Sequence, residues 1–191
     1  MMNEFIDFVY GMFPLINPYI KDRVKEAIRQ FDVSGKKLNY FLFEPLEVIS
    51  QGDIVGPLNF IWFNETGKMS TLKTKGILLT NTCDAQRDKF LMFAPFIPLA
   101  NANEKLKEGI VKNQIYNLLY FPENSYSDYV VDFSMIQPFN RKLLFDLIEA
   151  GQVQRTASLS QFGYYLFLCK LTVHLMRPED TEIQDNRKLA V

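Results

Sequence analysis

Between Asn39 and Leu159 no hydrophobic period persists for long. Short β-branched and aromatic runs are cut by Gly, Pro, Asn and Asp, a pattern that restricts the middle of the chain to many short strands. Strands are expected at about 40–43, 53–63, 74–81, 90–97, 114–121, 129–133 and 152–157. The turn Asn64-Glu65-Thr66-Gly67 predicts a hairpin, since glycine is free to take positive φ. Asp53-Ile54-Val55 and Ile77-Leu78-Leu79 do not alternate, so both are expected in central strands buried on two faces. Strands at this spacing favour a small barrel or a strongly bent sheet over alternating βαβ units. A short helix is expected after Pro138, carrying Leu143, Leu144, Leu147 and Ile148 to a stop at Gly151.

Helical periodicity marks the two ends. Asn17-Pro18 is a helix start, followed at helical spacing by Ile20, Val24, Ala27, Ile28 and Phe31. With a shorter apolar stretch ahead of Pro14, residues 1–38 read as a helical hairpin packed on the barrel. Ser158 and Gln161 match a capping pattern, and Leu159, Phe162, Leu166, Cys169, Val173 and Met176 continue in steps of three and four. That helix is apolar over most of its circumference, which favours burial by several neighbours within the chain over a dimer seam. The division is therefore 1–38 for the hairpin, 39–177 for the barrel with its helix, and 178–191 for a polar, loosely ordered tail.

Composition narrows the class of function. The 191 residues carry 21 basic and 22 acidic side chains, which excludes strong non-specific affinity for polyanions. With 17 Phe and 9 Tyr the chain can fill a core without disulfides, and Cys83 and Cys169 have no zinc or disulfide spacing. Two reduced thiols in the cytoplasm are expected. Glu4 and Asp7 stand where a secretion leader would be basic, and the apolar run Phe162 to Cys169 is far short of the ~20 residues needed to cross a bilayer. No membrane association is expected.

Candidate chemistry is sparse. His174 is the single histidine and lies within the apolar C-terminal stretch, so it reads as a structural or surface histidine. No metal is expected, because one His and two distant Cys leave only carboxylates without ligand spacing. No cofactor is expected either, since the nine glycines are dispersed and form no phosphate cradle. One polar cluster stands out: Asn81, Thr82, Cys83 and Asp84, followed by Arg87, come directly after an apolar strand. These residues either shape the loop through local hydrogen bonds or form a binding site on a rigid scaffold. Basic residues are grouped as Lys68, Lys73 and Lys75, then Lys105, Lys107 and Lys112, then Arg141, Lys142 and Arg155. If gathered beside Tyr116, Tyr120 or Tyr126 they would form a base-stacking surface; otherwise they are a solvated face of mixed charge.

The order of segments resembles the MazF/PemK growth inhibitors over residues 51–176. The matching pieces are Gln51-Gly52-Asp53-Ile54-Val55, Lys75-Gly76-Ile77-Leu78-Leu79-Thr80-Asn81, Phe93-Ala94-Pro95-Phe96-Ile97, Val130-Val131-Asp132-Phe133-Ser134-Met135-Ile136, and Arg155 to Leu159. The resemblance implies an α+β fold built on an SH3-like β-barrel with a C-terminal helix. Many members cut single-stranded RNA without a metal and pair with an antitoxin. Here the family's catalytic arginine corresponds to Lys75, which lacks the planar fork, and its threonine corresponds to about Ile97, which has no hydroxyl. Thr82-Cys83-Asp84 and Ala157-Ser158-Leu159 are also similar to an uncharacterised bacterial group of the same general architecture.

These readings lead to three expectations. The first is a cytoplasmic, MazF-like binding or interaction module without the usual nuclease residues, in a toxin-antitoxin or phage-defence setting. The second is a diverged endoribonuclease acting on single-stranded RNA, with Lys75, Asp84 and Arg87 as candidate catalytic residues. The third is a scaffold that self-associates or binds a protein partner from its own operon.

Overall fold

A computed structural model of the chain describes residues 39–123, 125–176 and 181–188. The helical hairpin expected over 1–38 lies outside the described residues. The elements are β1 (Phe41–Leu42), β2 (Ile54–Phe63), β3 (Met69–Leu78), α1 (Thr82–Ala85), β4 (Phe90–Pro98), α2 (Glu104–Val111), β5 (Leu118–Tyr120), β6 (Tyr129–Asp132), β7 (Gln137–Asn140), α3 (Arg141–Glu149), β8 (Gln154–Leu159), α4 (Gln161–Met176) and α5 (Thr181–Lys188). The fold is α+β, with every strand pairing antiparallel. The eight-stranded sheet runs β1-β8-β2-β3-β4-β6-β5, with β7 paired to β4 off this path.

That path is open, which corrects the expected closed barrel. No ladder joins β5 to β1 among the described residues. With two and three residues, β1 and β5 are too short for an extended ladder, and the ends of the sheet meet through side chains. The Phe41 ring lies 4.9 Å from Phe121 and 4.2 Å from Tyr126, centroid to centroid. The Tyr40 amide donates to Glu123 Oε2 at 2.7 Å. The sheet is thus curled until its ends touch.

Curling gives two cores on opposite faces of the same strands. Ile54, Ile77, Ala94, Phe96, Leu119, Val131 and Ala157 face inward with Leu166 and Phe167 of α4. Val55, Leu78 and Phe93 point the other way, toward Leu91, Leu144 of α3 and Val153. This is the double burial expected of the Ile54-Val55 and Ile77-Leu78 runs. An irregularity between Val55 and Leu58 shifts the alternation of β2 by one residue. Leu58 and Phe60 consequently join the second core, and Asn59, Ile61 and Phe63 take the face of the first.

Several boundaries differ from expectation for identifiable reasons. β3 starts at Met69, not 74, because its polar first half is paired residue by residue with β2, and Gly67 makes the turn at φ 74°. The chain after Pro138 is strand before it is helix, since Gln137–Asn140 pairs with Phe90–Phe93. Ser158 does not cap α4. It belongs to β8, and Ser160 is the cap, accepting from the Gly163 amide at 3.2 Å while donating to the Asn39 carbonyl at 2.6 Å. The tail is not loose throughout: Thr181–Lys188 is helical. Its residues include helix formers but no apolar stripe, so hydrophobic periodicity does not mark it.

Candidate functional site

The Asn81–Arg87 segment begins α1 where β3 ends. Asn81 accepts from the Cys83 amide at 3.0 Å, capping the short helix. Thr82 Oγ1 accepts from the Gln51 amide at 3.1 Å, and Gln51 in turn donates to the Leu79 carbonyl at 2.7 Å and accepts from the Tyr164 hydroxyl at 2.8 Å. Asp84 and Arg87 pair with one another at the surface. Cys83 is exposed. Asn81, Thr82, Asp84 and Arg87 each therefore have a partner within the fold, as loop-shaping residues do.

Lys75 is separate from this segment. Its ammonium stands 4.9 Å from the Tyr126 ring centroid, on the face of β3 that carries Ile77 into the first core. Ala85 of α1 belongs to the second core. Lys75 and the Asp84–Arg87 pair thus lie against opposite faces of the sheet and do not meet. Tyr126 also shares a 3.3 Å contact with Thr156 Oγ1, and burial raises its phenol above the ordinary range.

A second polar constellation was not foreseen. Asp53 is fully buried at the start of β2. Its carboxylate accepts from Ser158 Oγ at 2.5 Å, from the Ser50 amide at 2.8 Å, and from Arg155 Nε at 3.0 Å with an Arg155 terminal nitrogen at 2.8 Å. Arg155 then donates to the carbonyls of Leu46 and Val48 at 2.7 and 2.9 Å, and Ser158 accepts from the Leu46 amide at 3.0 Å. Burial pushes the Asp53 carboxyl up, against the pull of the Ser158 hydroxyl, the Ser50 amide and Arg155. A charge within a doubly buried run must find a partner, and that signal was visible at Asp53. The partner's position, 102 residues away, was not.

The remaining cations divide sharply. Lys107 pairs with Glu104 at 2.5 Å, Lys112 with Glu108 at 2.6 Å and Lys142 with Asp146 at 2.7 Å, each within a single helix. Arg141 donates to the Asp88 carbonyl at 3.0 Å. Lys170, buried in α4, donates to the carbonyls of Asn113 and Ile115 at 3.0 and 2.5 Å, and burial pulls its ammonium down to about 8. His174 lies against Tyr116 and Phe133, which fits its structural reading. Lys68, Lys73, Lys89 and Lys105 are exposed and have no ion-pair partner among the described residues.

Lys68 and Lys73 sit on the outer half of the β2–β3 hairpin. Register places Phe63 opposite Met69, Ile61 opposite Thr71 and Asn59 opposite Lys73. These six side chains share one face, with Phe63 74%, Met69 64% and Ile61 48% exposed. Other apolar residues are exposed elsewhere, among them Phe90 beneath the Lys89 ammonium, but among the described residues this hairpin face gathers three large ones beside Lys73.

Among the described residues no group of His, Cys, Asp and Glu is arranged to hold a metal, and no helix is long and apolar enough to cross a membrane. No family model matches the chain, and no curated protein matches it.

Proposed function

We propose that the protein is a non-catalytic binding module whose working surface is the outer half of the β2–β3 hairpin. The observation that supports this reading is the shared face of Asn59, Ile61, Phe63, Met69, Thr71 and Lys73, on which three large apolar side chains are exposed beside a lysine without a carboxylate partner among the described residues. By contrast, Asn81, Thr82, Asp84 and Arg87 are engaged within the fold, and the three candidate catalytic groups are divided between two faces. The MazF/PemK-like architecture and a toxin-antitoxin or phage-defence setting belong to the same proposal, supported by the resemblance over residues 51–176.

A second reading, single-stranded RNA as ligand or substrate, is favoured by one arrangement. Lys75 over Tyr126 and Lys73 two residues further along β3 form a line of cations leading past an aromatic ring onto the hairpin face. The test uses wild type and Phe63→Ser/Met69→Ser with fluorescent mixed-sequence single-stranded RNA and with a peptide library. A ligand held by wild type and weakened about tenfold or more in the double variant supports the hairpin as the working surface. Ligands bound equally by both chains overturn it. RNA cleavage lost in Lys75→Ala or Asp84→Ala overturns the non-catalytic reading.

A further inference from the structure

The hairpin also exposes a strand edge. The side-chain amide of Gln137 forms two hydrogen bonds with the backbone of Ile61: the Ile61 amide donates to Gln137 Oε1 at 3.0 Å, and Gln137 Nε2 donates to the Ile61 carbonyl at 2.7 Å. Both backbone groups of Ile61 therefore point away from β3. In an antiparallel ladder this makes Ile61–Thr71 a non-bonded pair, and its partner's amide and carbonyl must point outward as well. The same parity holds for Phe63–Met69 and Asn59–Lys73, and the bonded Asn64–Lys68 pair at the turn agrees with it.

On the outer side of β3, pairing with β4 covers only Gly76–Leu78. Thr74 extends that contact by one hydroxyl bond, to the Phe96 carbonyl at 2.7 Å. Beyond it, no ladder covers the outward backbone groups of Lys73, Thr71 and Met69 among the described residues. By contrast, β2's outer edge is closed at Ile61 by Gln137, and β5 is closed at Tyr120, where the Asn113 amide forms the same two-point contact at 2.8 and 2.9 Å.

On the reading that the hairpin is the working surface, we infer that its partner is an extended acidic and apolar protein segment that adds as a strand to the Met69–Lys73 edge of β3. The open backbone groups of Thr71 and Lys73 hold the main chain of that segment. Its alternate side chains extend the face of Phe63, Ile61 and Met69. Acidic residues at further alternate positions meet Lys73 and Lys75 on that same face, one on the opposite face meets Lys68, and the arm carries one carboxylate of its own, Glu65 in the turn. A second copy of this chain is a poor occupant. Antiparallel pairing of two such edges would gather both sets of three lysines along one ladder, and like charges across strands are unfavourable.

The test selects random ten-residue segments displayed on phage against the full chain. Binders are expected to carry both apolar and acidic residues along one set of alternate positions, to lose about tenfold in affinity for Thr71→Pro, and to slow hydrogen exchange at the Thr71 and Lys73 amides. Proline at 71 removes an outward donor and leaves the β2–β3 bonds in place. Lys68→Glu/Lys73→Glu, which alters no backbone group, should weaken the same binders and remove their salt dependence. Binders unaffected by Thr71→Pro and by the charge reversal, binders that protect other amides, or a selection yielding none overturn strand addition. If such binders, or RNA, still depend on Phe63 and Met69, the hairpin remains the working surface and only the mode is refuted. Concentration-dependent dimers abolished by Thr71→Pro would instead assign the edge to a second copy and overturn the acidic partner.

Discussion

Ser158 and Asp53 show how a residue's role follows from what surrounds it. As a sequence neighbour of Gln161, Ser158 has the spacing of a helix cap; in the fold it is buried in β8 and donates to a carboxylate. Removing that hydroxyl strands one buried acceptor, and Ser158→Ala should destabilise the protein by about 1–3 kcal/mol. Asp53→Ala leaves Arg155 without its counter-ion in a mostly buried site, and should cost about 3–5 kcal/mol. Urea unfolding of both variants and of the double variant checks this: because the two share one network, the double loss should fall short of the sum. Additive losses would show the two side chains acting independently. The segments that carried the family resemblance, Gln51 to Asp53, Thr82 to Asp84 and Arg155 to Leu159, converge here through hydrogen bonds. Much of what looked like a signature therefore builds the fold.

Elements are held by a few close approaches and buried groups. A side chain on Gly163 would stand 2.2 Å from the Tyr40 carbonyl, so the first turn of α4 touches the chain entering β1 because this residue has no Cβ. Gly163→Ala should destabilise by about 2 kcal/mol or more in a thermal melt, despite alanine's better helix propensity; a gain in stability would refute the close packing. Lys170 ties α4 to the turn after α2 through two carbonyls. Its folded pKa of about 8 lies below the ordinary 10.5, so between these values the unfolded chain holds a proton that the folded chain has released. Stability should therefore gain from this group as pH rises through that window. The difference between wild type and Lys170→Met, followed in urea from pH 7.5 to 9.5, isolates it from the other titrating groups. A difference independent of pH would show that Lys170 stays charged throughout.

At the scale of the molecule, closure by side chains replaces closure by a ladder. Phe41 and Phe121 are buried where the two ends of the sheet meet. Phe121→Ala should cost about 3–5 kcal/mol and speed hydrogen exchange in both β1 and β5. Faster exchange in β5 alone would mean that the ends are held independently. The same curl leaves the Ile61, Phe63 and Met69 face of the β2–β3 hairpin outside both cores. Its apolar residues are exposed because nothing in the described chain folds back over that face.

Local pattern alone determined that the middle of this chain is a sheet of short strands, that Ile54-Val55 and Ile77-Leu78 run through its centre, that Gly67 makes a tight turn, and that an apolar helix closes the unit. Those features depend on periodicity and turn chemistry over a few residues, which any window of sequence contains. Tertiary structure alone decided that the sheet stays open, that Asp53 meets Arg155 and Ser158, that Lys75 is parted from Asp84 and Arg87, and that Ile61, Phe63 and Met69 face outward. Each of these depends on which residues meet across tens of positions in sequence. A one-residue irregularity in β2, which local pattern does not reveal, exchanges the faces of its outer half and with them the inside and outside of the molecule.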